Sequence, residues 1–151
     1  MRLVLFQPDI APMWGACCGS GPVSACRSTS SSPAASCFRT RKMRRAGMDY
    51  LAQADYVRHA SWGRLPGAAP RRADRAADDE GGHTPITDFA FAPDDKIVLG
   101  RESAGAPGFV HDRAEARLRI PLKSGLRSVN MAQAGAMVLG EALRQTGSFP
   151  R

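Results

Sequence analysis

The chain has 151 residues, 43% hydrophobic and 23% charged, with a formal net charge of +7. That length suits one domain with a core of its own, and the basic excess fits either a polyanionic partner such as RNA or a solvated basic surface. No apolar stretch approaches the length of a membrane span, and the run Leu3 to Phe6, followed by Asp9, is too short for a signal peptide, so a cytoplasmic protein without a membrane partner is expected.

Taken in order, Arg2-Leu3-Val4-Leu5-Phe6 reads as a buried strand bounded by Pro8, with Gln7 to Pro12 as a loop. Cys18 to Thr40 is Ser-rich, aperiodic and almost without large aliphatic residues, the composition of a linker. All four cysteines, Cys17, Cys18, Cys26 and Cys37, fall in this early part without a C-x-x-C pair, and His59, His83 and His111 are scattered. Zinc needs closely spaced ligands and a disulfide framework needs a secretory context, so neither a metal nor a disulfide is expected. Gly19-Ser20-Gly21 lacks the third glycine and the preceding strand of a dinucleotide loop.

Lys42, Arg44 and Arg45 form a compact basic group, suited to bidentate phosphate contact or to a solvated helix face. Leu51 to Trp62 reads as a short helix, a strand near Tyr56-Val57 and a loop. Gly63 to Gly82 is unlike a core, with Pro66, Pro70, Arg64, Arg71, Arg72 and Arg75 against Asp74, Asp78, Asp79 and Glu80. Lys96-Ile97-Val98-Leu99 is an apolar strand that runs into Gly100-Arg101-Glu102-Ser103-Ala104-Gly105-Ala106-Pro107. Gly100 permits close backbone approach at a strand end, either to a ligand or in a plain strand-to-loop turn. Glu102 either holds a substrate or cofactor group or faces solvent.

A second short strand ends at Ile120-Pro121, a Gly-containing loop follows, and a helix begins at Ser128-Val129-Asn130. Ser and Asn are good N-cap residues because their side-chain oxygens accept from unpaired backbone N–H groups. Val129, Ala132, Ala136, Leu139 and Leu143 recur at helical spacing. Ala134, Gly135, Ala136 and Gly140 would let another backbone approach, and Arg144 before Gly147 predicts the helix end.

The pattern I-P-x-x-x-G-x-R-S-x-N, leading into an Ala-rich helix that ends in E-A-x-R-Q, resembles the third motif of the SPOUT-superfamily RNA methyltransferases. The branch it most resembles is the TrmL-type tRNA 2′-O-methyltransferases, which act on the wobble ribose. The segment Gly100 to Pro107 after its strand resembles the second motif, and the likeness extends to Met1–Cys17 and Arg41–Trp62. The resemblance implies an α/β fold over residues 1–151: a SPOUT-type parallel sheet flanked by helices, with a C-terminal trefoil knot, assembled as a homodimer. It implies S-adenosyl-L-methionine as cofactor, held by Leu99, Gly100, Glu102, Ile120, Leu122 and Ser128 partly through backbone atoms. It also implies catalytic roles for Ser128 and Asn130, which serve equally as helix caps, and tRNA as partner, with Arg44 and Arg45 on the RNA.

Two departures stand against this. Where the family's first motif has Asn and Arg, this chain has Met13 and Gly19. The two anomalous segments, 18–40 and 63–82, look out of frame. Reading Cys18 to Thr40 one base earlier can give LRLGACLGVPVDVIEPCGFVLSD, with an Arg-bearing helix and a strand VPVDVIEP. Reading Gly63 to Gly82 one base later can give a peptide containing the apolar strand ALIALLTT. The basic surplus does not depend on these segments: the first adds only Arg27 and Arg39, and the second is balanced. As written, the chain would lack two apolar strands, so the rival expectation is an inactive cofactor- or RNA-binding remnant, or the product of a damaged gene.

Overall fold

The computed structural model describes residues 1–8, 17, 27–31, 55–64, 72–73, 83–125 and 128–150. Among these residues seven strands form one sheet: β1 (Arg2–Phe6), β2 (Arg27–Ser31), β3 (Tyr56–His59), β4 (Arg72–Ala73), β5 (Thr84–Pro85), β6 (Lys96–Leu99) and β7 (Arg117–Arg119). Their order is β3-β2-β1-β6-β4-β7-β5, and every pairing is parallel. Two α-helices are described, α1 (Gly108–His111) and α2 (Met131–Thr146), besides a 3-10 turn at Trp62–Arg64.

The alternation of side chains along β1 and β6 explains the layering, because successive residues of a strand face opposite sides. Leu3, Leu5, Ile97 and Leu99 join Leu118 of β7 and the α2 residues Met131, Val138, Leu139, Ala142 and Leu143 in one core cluster. Val4, Phe6 and Val98 face the other way and pack with Val110 of α1, Trp62 and Ala106. Both faces of these central strands are covered, as a parallel sheet requires. Each large side chain so buried contributes roughly 1.5–3 kcal/mol.

The buried stripe of α2 is Met131, Ala134, Gly135, Val138, Leu139, Ala142 and Leu143. This corrects the face read from periodicity. Val129 precedes the helix, Ala132 is half-buried and Ala136 is exposed. One of the small residues also acts differently from expectation. A Cβ on Gly135 would lie 2.8 Å from Leu99 Cδ1, so this glycine makes room for a side chain of β6 and not for another backbone.

The two anomalous segments each contribute a strand, contrary to the expectation of a sheet without them. β2 pairs with β1 from Arg2↔Arg27 to Phe6↔Ser31 and with β3 from Ser28↔Tyr56 to Ser31↔His59. Ladder hydrogen bonds use only backbone groups, so Arg-Ser-Thr-Ser-Ser can occupy a slot between two strands. The out-of-frame strand VPVDVIEP falls on the same positions. The strand β4, in the second segment, is only Arg72–Ala73, between β6 and β7. At the far edge β5 contains Pro85, which an edge strand tolerates, and Ile86 N–H continues the pairing to the Arg119 carbonyl at 2.9 Å.

Candidate active site at the carboxyl edge of the sheet

Because the sheet is parallel, the loops after β1, β6 and β7 all leave by the same edge, where open α/β sheets bind ligands. Strands β6 and β7 both pair with β4, so they stand one strand apart. At about 4.8 Å per strand, the Gly100 loop and the Ile120 loop start roughly 10 Å from each other.

The first loop is a closed turn. Arg101 N–H donates to the Gly105 carbonyl at 2.8 Å, and Gly105 N–H donates to the Arg101 carbonyl at 3.0 Å. Leu99 is core, 3% exposed, and Gly100 is buried. A Cβ at Gly100 would sit 2.4 Å from the Gly105 carbonyl carbon and 2.5 Å from the Ala106 nitrogen. The close approach that this glycine permits is therefore to the chain's own turn. Glu102 is 8% exposed, which removes the solvent-facing alternative. Its carboxylate is close enough to act on Cys17. Burial chiefly, and this neighbouring negative charge secondarily, push the Cys17 thiol up to about 12.

The second loop offers apolar and polar surface side by side. Ile120 is half-buried against the main core, Leu122 is 37% exposed, and Ser128 is exposed. Asn130 is the N-cap of α2: its Oδ1 accepts from Ala132 N–H at 2.9 Å and Gln133 N–H at 3.4 Å. Ser128, two residues earlier, lies outside the cap, so the two polar residues separate into one that fixes the helix start and one on the loop before it. Arg44 and Arg45, together with Met13 and Gly19, lie outside the described residues.

The far end of α2 is fixed by its own sequence signature. Gly147 adopts φ 62°, its N–H reaching the Arg144 carbonyl, while Ser148 N–H donates to the Leu143 carbonyl at 3.0 Å, a Schellman stop. Glu141 accepts from Arg144 Nη2 at 2.8 Å and from Gln145 Nε2 at 2.8 Å. The Arg144 hydrogen bond, then that from Gln145, hold the Glu141 carboxyl down at about 2. Gln145 also accepts from Phe91 N–H and donates to the Phe89 carbonyl, both at 3.0 Å, tying the helix to the loop before β6. The E-A-x-R-Q run is thus a clamp that holds α2 on the sheet.

Sequence reasoning missed a second feature of this edge. A cavity of about 270 Å³ lies where β1 and β6 end, lined among the described residues by Phe6, Gln7, Arg101, Ala104, Gly105, Pro107 and Phe109. The Arg101 guanidinium donates to Gln7 Oε1 across it. Arg101 lay inside a recognised motif, but Gln7 depends on a backbone φ of 44°, which no local pattern announces. Among the described residues no His, Cys, Asp and Glu cluster could hold a metal, and no helix is long and apolar enough to cross a membrane.

Comparison with known proteins gives this edge a context. The SpoU rRNA Methylase family model matches residues 1–140. The tRNA (cytidine(34)-2′-O)-methyltransferase of Ancylobacter novellus is 45% identical over 157 aligned positions, covering 100% of this chain and 96% of that protein. The enzyme of the same name from Beijerinckia indica is 42% identical, covering 99% and 94%. A structure solved for insight into 2-OH methylation of C/U34 on tRNA superposes with a TM-score of 0.83 at 30% identity, over 95% of this chain and 94% of that one. A SpoU methyltransferase from Streptomyces viridochromogenes, solved in complex with the cofactor AdoMet, has the same fold, with a TM-score of 0.81 at 21% identity over 96% of this chain and 60% of its own. With a family model across nearly its whole length and relatives this similar end to end, the chain belongs to the SpoU methylase family.

Proposed function

We propose that this protein is a tRNA 2′-O-methyltransferase acting on the ribose of the wobble nucleotide, with S-adenosyl-L-methionine as methyl donor. The observation that carries the reading is the arrangement of the two motif loops. They leave one sheet edge a single strand apart, and the second ends at the capped start of a 16-residue helix. The relatives from Ancylobacter novellus and Beijerinckia indica support the choice of substrate.

The residues fit such a cofactor. The exposed Leu122 and half-buried Ile120 offer an apolar bed for a flat ring, beside the backbone groups of the loop. In this reading the opposite wall is the backbone of the segment Leu99, Gly100 and Glu102, whose residues are themselves buried. When bound, the sulfonium supplies an already activated methyl group. The work left to the protein is alignment of the ribose hydroxyl and removal of its proton. In this reading Ser128 and Asn130 hold the ribose. The N-terminus of α2 lends partial positive charge where the hydroxyl oxygen becomes negative. Gly19, at the family's Arg position, has no side chain to assist. That departure favours a second reading, in which cofactor binding persists and methyl transfer is lost.

Calorimetric titration of S-adenosylmethionine, run beside transfer of labelled methyl to tRNA with analysis of the modified nucleotide, separates the two. Binding with transfer to the wobble ribose is the expected result; binding without transfer selects the second reading; absence of both refutes the proposal.

The reading extends to assembly and topology. Ala136 and Met137 are exposed on α2, the latter by 47%, beside Gly140, around which a Cβ would meet nothing within 4 Å. Such a small-residue face suits helix packing in a homodimer, and a monomer in light scattering at high concentration would refute it. The late strands β6 and β7 insert between earlier ones, an interleaving consistent with a C-terminal knot. A tRNA substrate is also consistent with a cytoplasmic location.

A further inference from the structure

We infer that the cavity between the ends of β1 and β6 is a nucleotide subsite, in which a base of the RNA stacks on Phe109 and a phosphate is bound by Arg101 held in place by Gln7. The inference rests on the proposed RNA substrate but assigns residues that the methyl-donor crevice does not use. That crevice lies between β6 and β7; this cavity lies on the other side of β6, toward β1. The Gly100–Gly105 turn is their common wall, so a nucleotide seated here would stand beside the donor.

Three observations converge on it. Phe109 is 52% exposed, yet its ring is fixed edge-on to Phe6 at 5.8 Å and 71°. Phe6 is in turn held edge-on by Trp62 at 5.6 Å and 80°. An exposed aromatic ring anchored from behind is a stacking platform, and bases stack on such rings without regard to sequence. Arg101, beside it, presents a planar guanidinium suited to phosphate. Gln7 supplies the third observation. It holds a left-handed backbone, φ 44°, the one non-glycine residue to do so among those described. A non-glycine side chain in that region persists only where its surroundings impose it, and such positions cluster at functional sites. Here the bend turns the chain off the end of β1 and brings the carboxamide to Arg101. The volume, about 270 Å³, is near the lower limit of small-ligand pockets.

The test measures binding of an anticodon stem-loop RNA and of S-adenosylmethionine to the full chain and to Phe109→Ala, Phe109→Trp, Arg101→Gln and Gln7→Ala. Phe109→Ala should weaken RNA binding about tenfold and Phe109→Trp should restore it, because the loss is one stacked base. Arg101→Gln should lower the slope of log affinity against log salt by about one, the signature of one lost phosphate contact. Gln7→Ala should weaken RNA binding without changing that slope. Cofactor affinity should stay within twofold throughout, which also reports that the variants are folded. RNA binding by the wild type that is indifferent to Phe109 and Arg101 overturns the subsite and leaves the proposed function standing. An equal loss of cofactor affinity in the Phe109 or Arg101 variants overturns it too, by making the cavity part of the donor site. Failure of the wild type to bind RNA at all overturns both.

Discussion

A Cβ placed on Gly100 would fall 2.4 Å from the backbone of Gly105, the residue that closes the turn, where no side-chain rotation can relieve it. At Gly135 the corresponding contact is 2.8 Å to the tip of Leu99, which can turn away. Gly100→Ala should therefore cost about 1–3 kcal/mol through overpacking, and should open the turn and weaken S-adenosylmethionine binding. Gly135→Ala should cost less and leave the cofactor affinity nearly unchanged. Thermal melts and calorimetry on the two variants check this, and equal behaviour would refute it. Cys17 gives a pH-dependent prediction. Its thiol is raised from an ordinary value of 9.0 to about 12 in the folded chain. Between those values the unfolded chain has lost a proton that the folded chain keeps. Stability from this group is thus complete below pH 9 and falls as pH rises toward 12. Cys17→Ala should flatten that alkaline loss in melting curves. At neutral pH the native Cys17 should resist thiol reagents, since the thiolate is the nucleophile.

At the scale of elements, what was legible follows from which forces leave a local trace. Strands β1 and β6 were readable to the residue, and β7 and α2 nearly so, because apolar runs, Pro121, Asn130 and Gly147 mark their limits. Strand β5 was not, since two residues including Pro85 have no periodicity, and α1 has no side-chain cap to announce it. The site divides in the same way. Gly100 and Asn130 were legible as a close approach and a cap. The partner of that approach and the Gln7–Arg101 contact were not, because they depend on how the chain folds back and not on a local pattern. Asn130 now invites a separation of its two roles. Asn130→Ala removes the acceptor for Ala132 and Gln133 and should cost about 0.5–2 kcal/mol. Asn130→Asp keeps an acceptor and adds charge that favours a helix start, so stability should hold. If the amide also holds the ribose, methyl transfer should fall in both variants. Full activity in Asn130→Asp would reduce the residue to a cap.

For the whole molecule the open question is what the sequence of two segments does to a sheet whose backbone accommodates them. Strand β2 stands between β1 and β3, and β4 between β6 and β7. Interior strands of a parallel sheet are normally aliphatic on both faces. Arg27-Ser28-Thr29-Ser30-Ser31 has no large aliphatic residue, and Arg72-Ala73 has none either. The ladder can form without them, but the burial that makes a ladder stable cannot. Each large aliphatic side chain forgone removes roughly 1.5–3 kcal/mol, against a net stability of about 5–15 kcal/mol for an ordinary domain. Several such losses in two strands are enough to leave the sheet marginal, while the core of β1, β6, β7 and α2 keeps its own residues. Restoring the frame across 18–40 and 63–82 should therefore raise the melting temperature strongly. It should also bring back an Arg at the first motif and, with it, speed the methyl transfer that is slow in the chain as written. Cofactor binding, which depends on the later loops, should change much less between the two chains. Sequencing the gene and expressing both versions decides the matter. DNA that encodes no aliphatic strands one base over in these windows would refute the frame account, and a chain as written that matches the repaired one in melting temperature and methylation would refute its physical consequence.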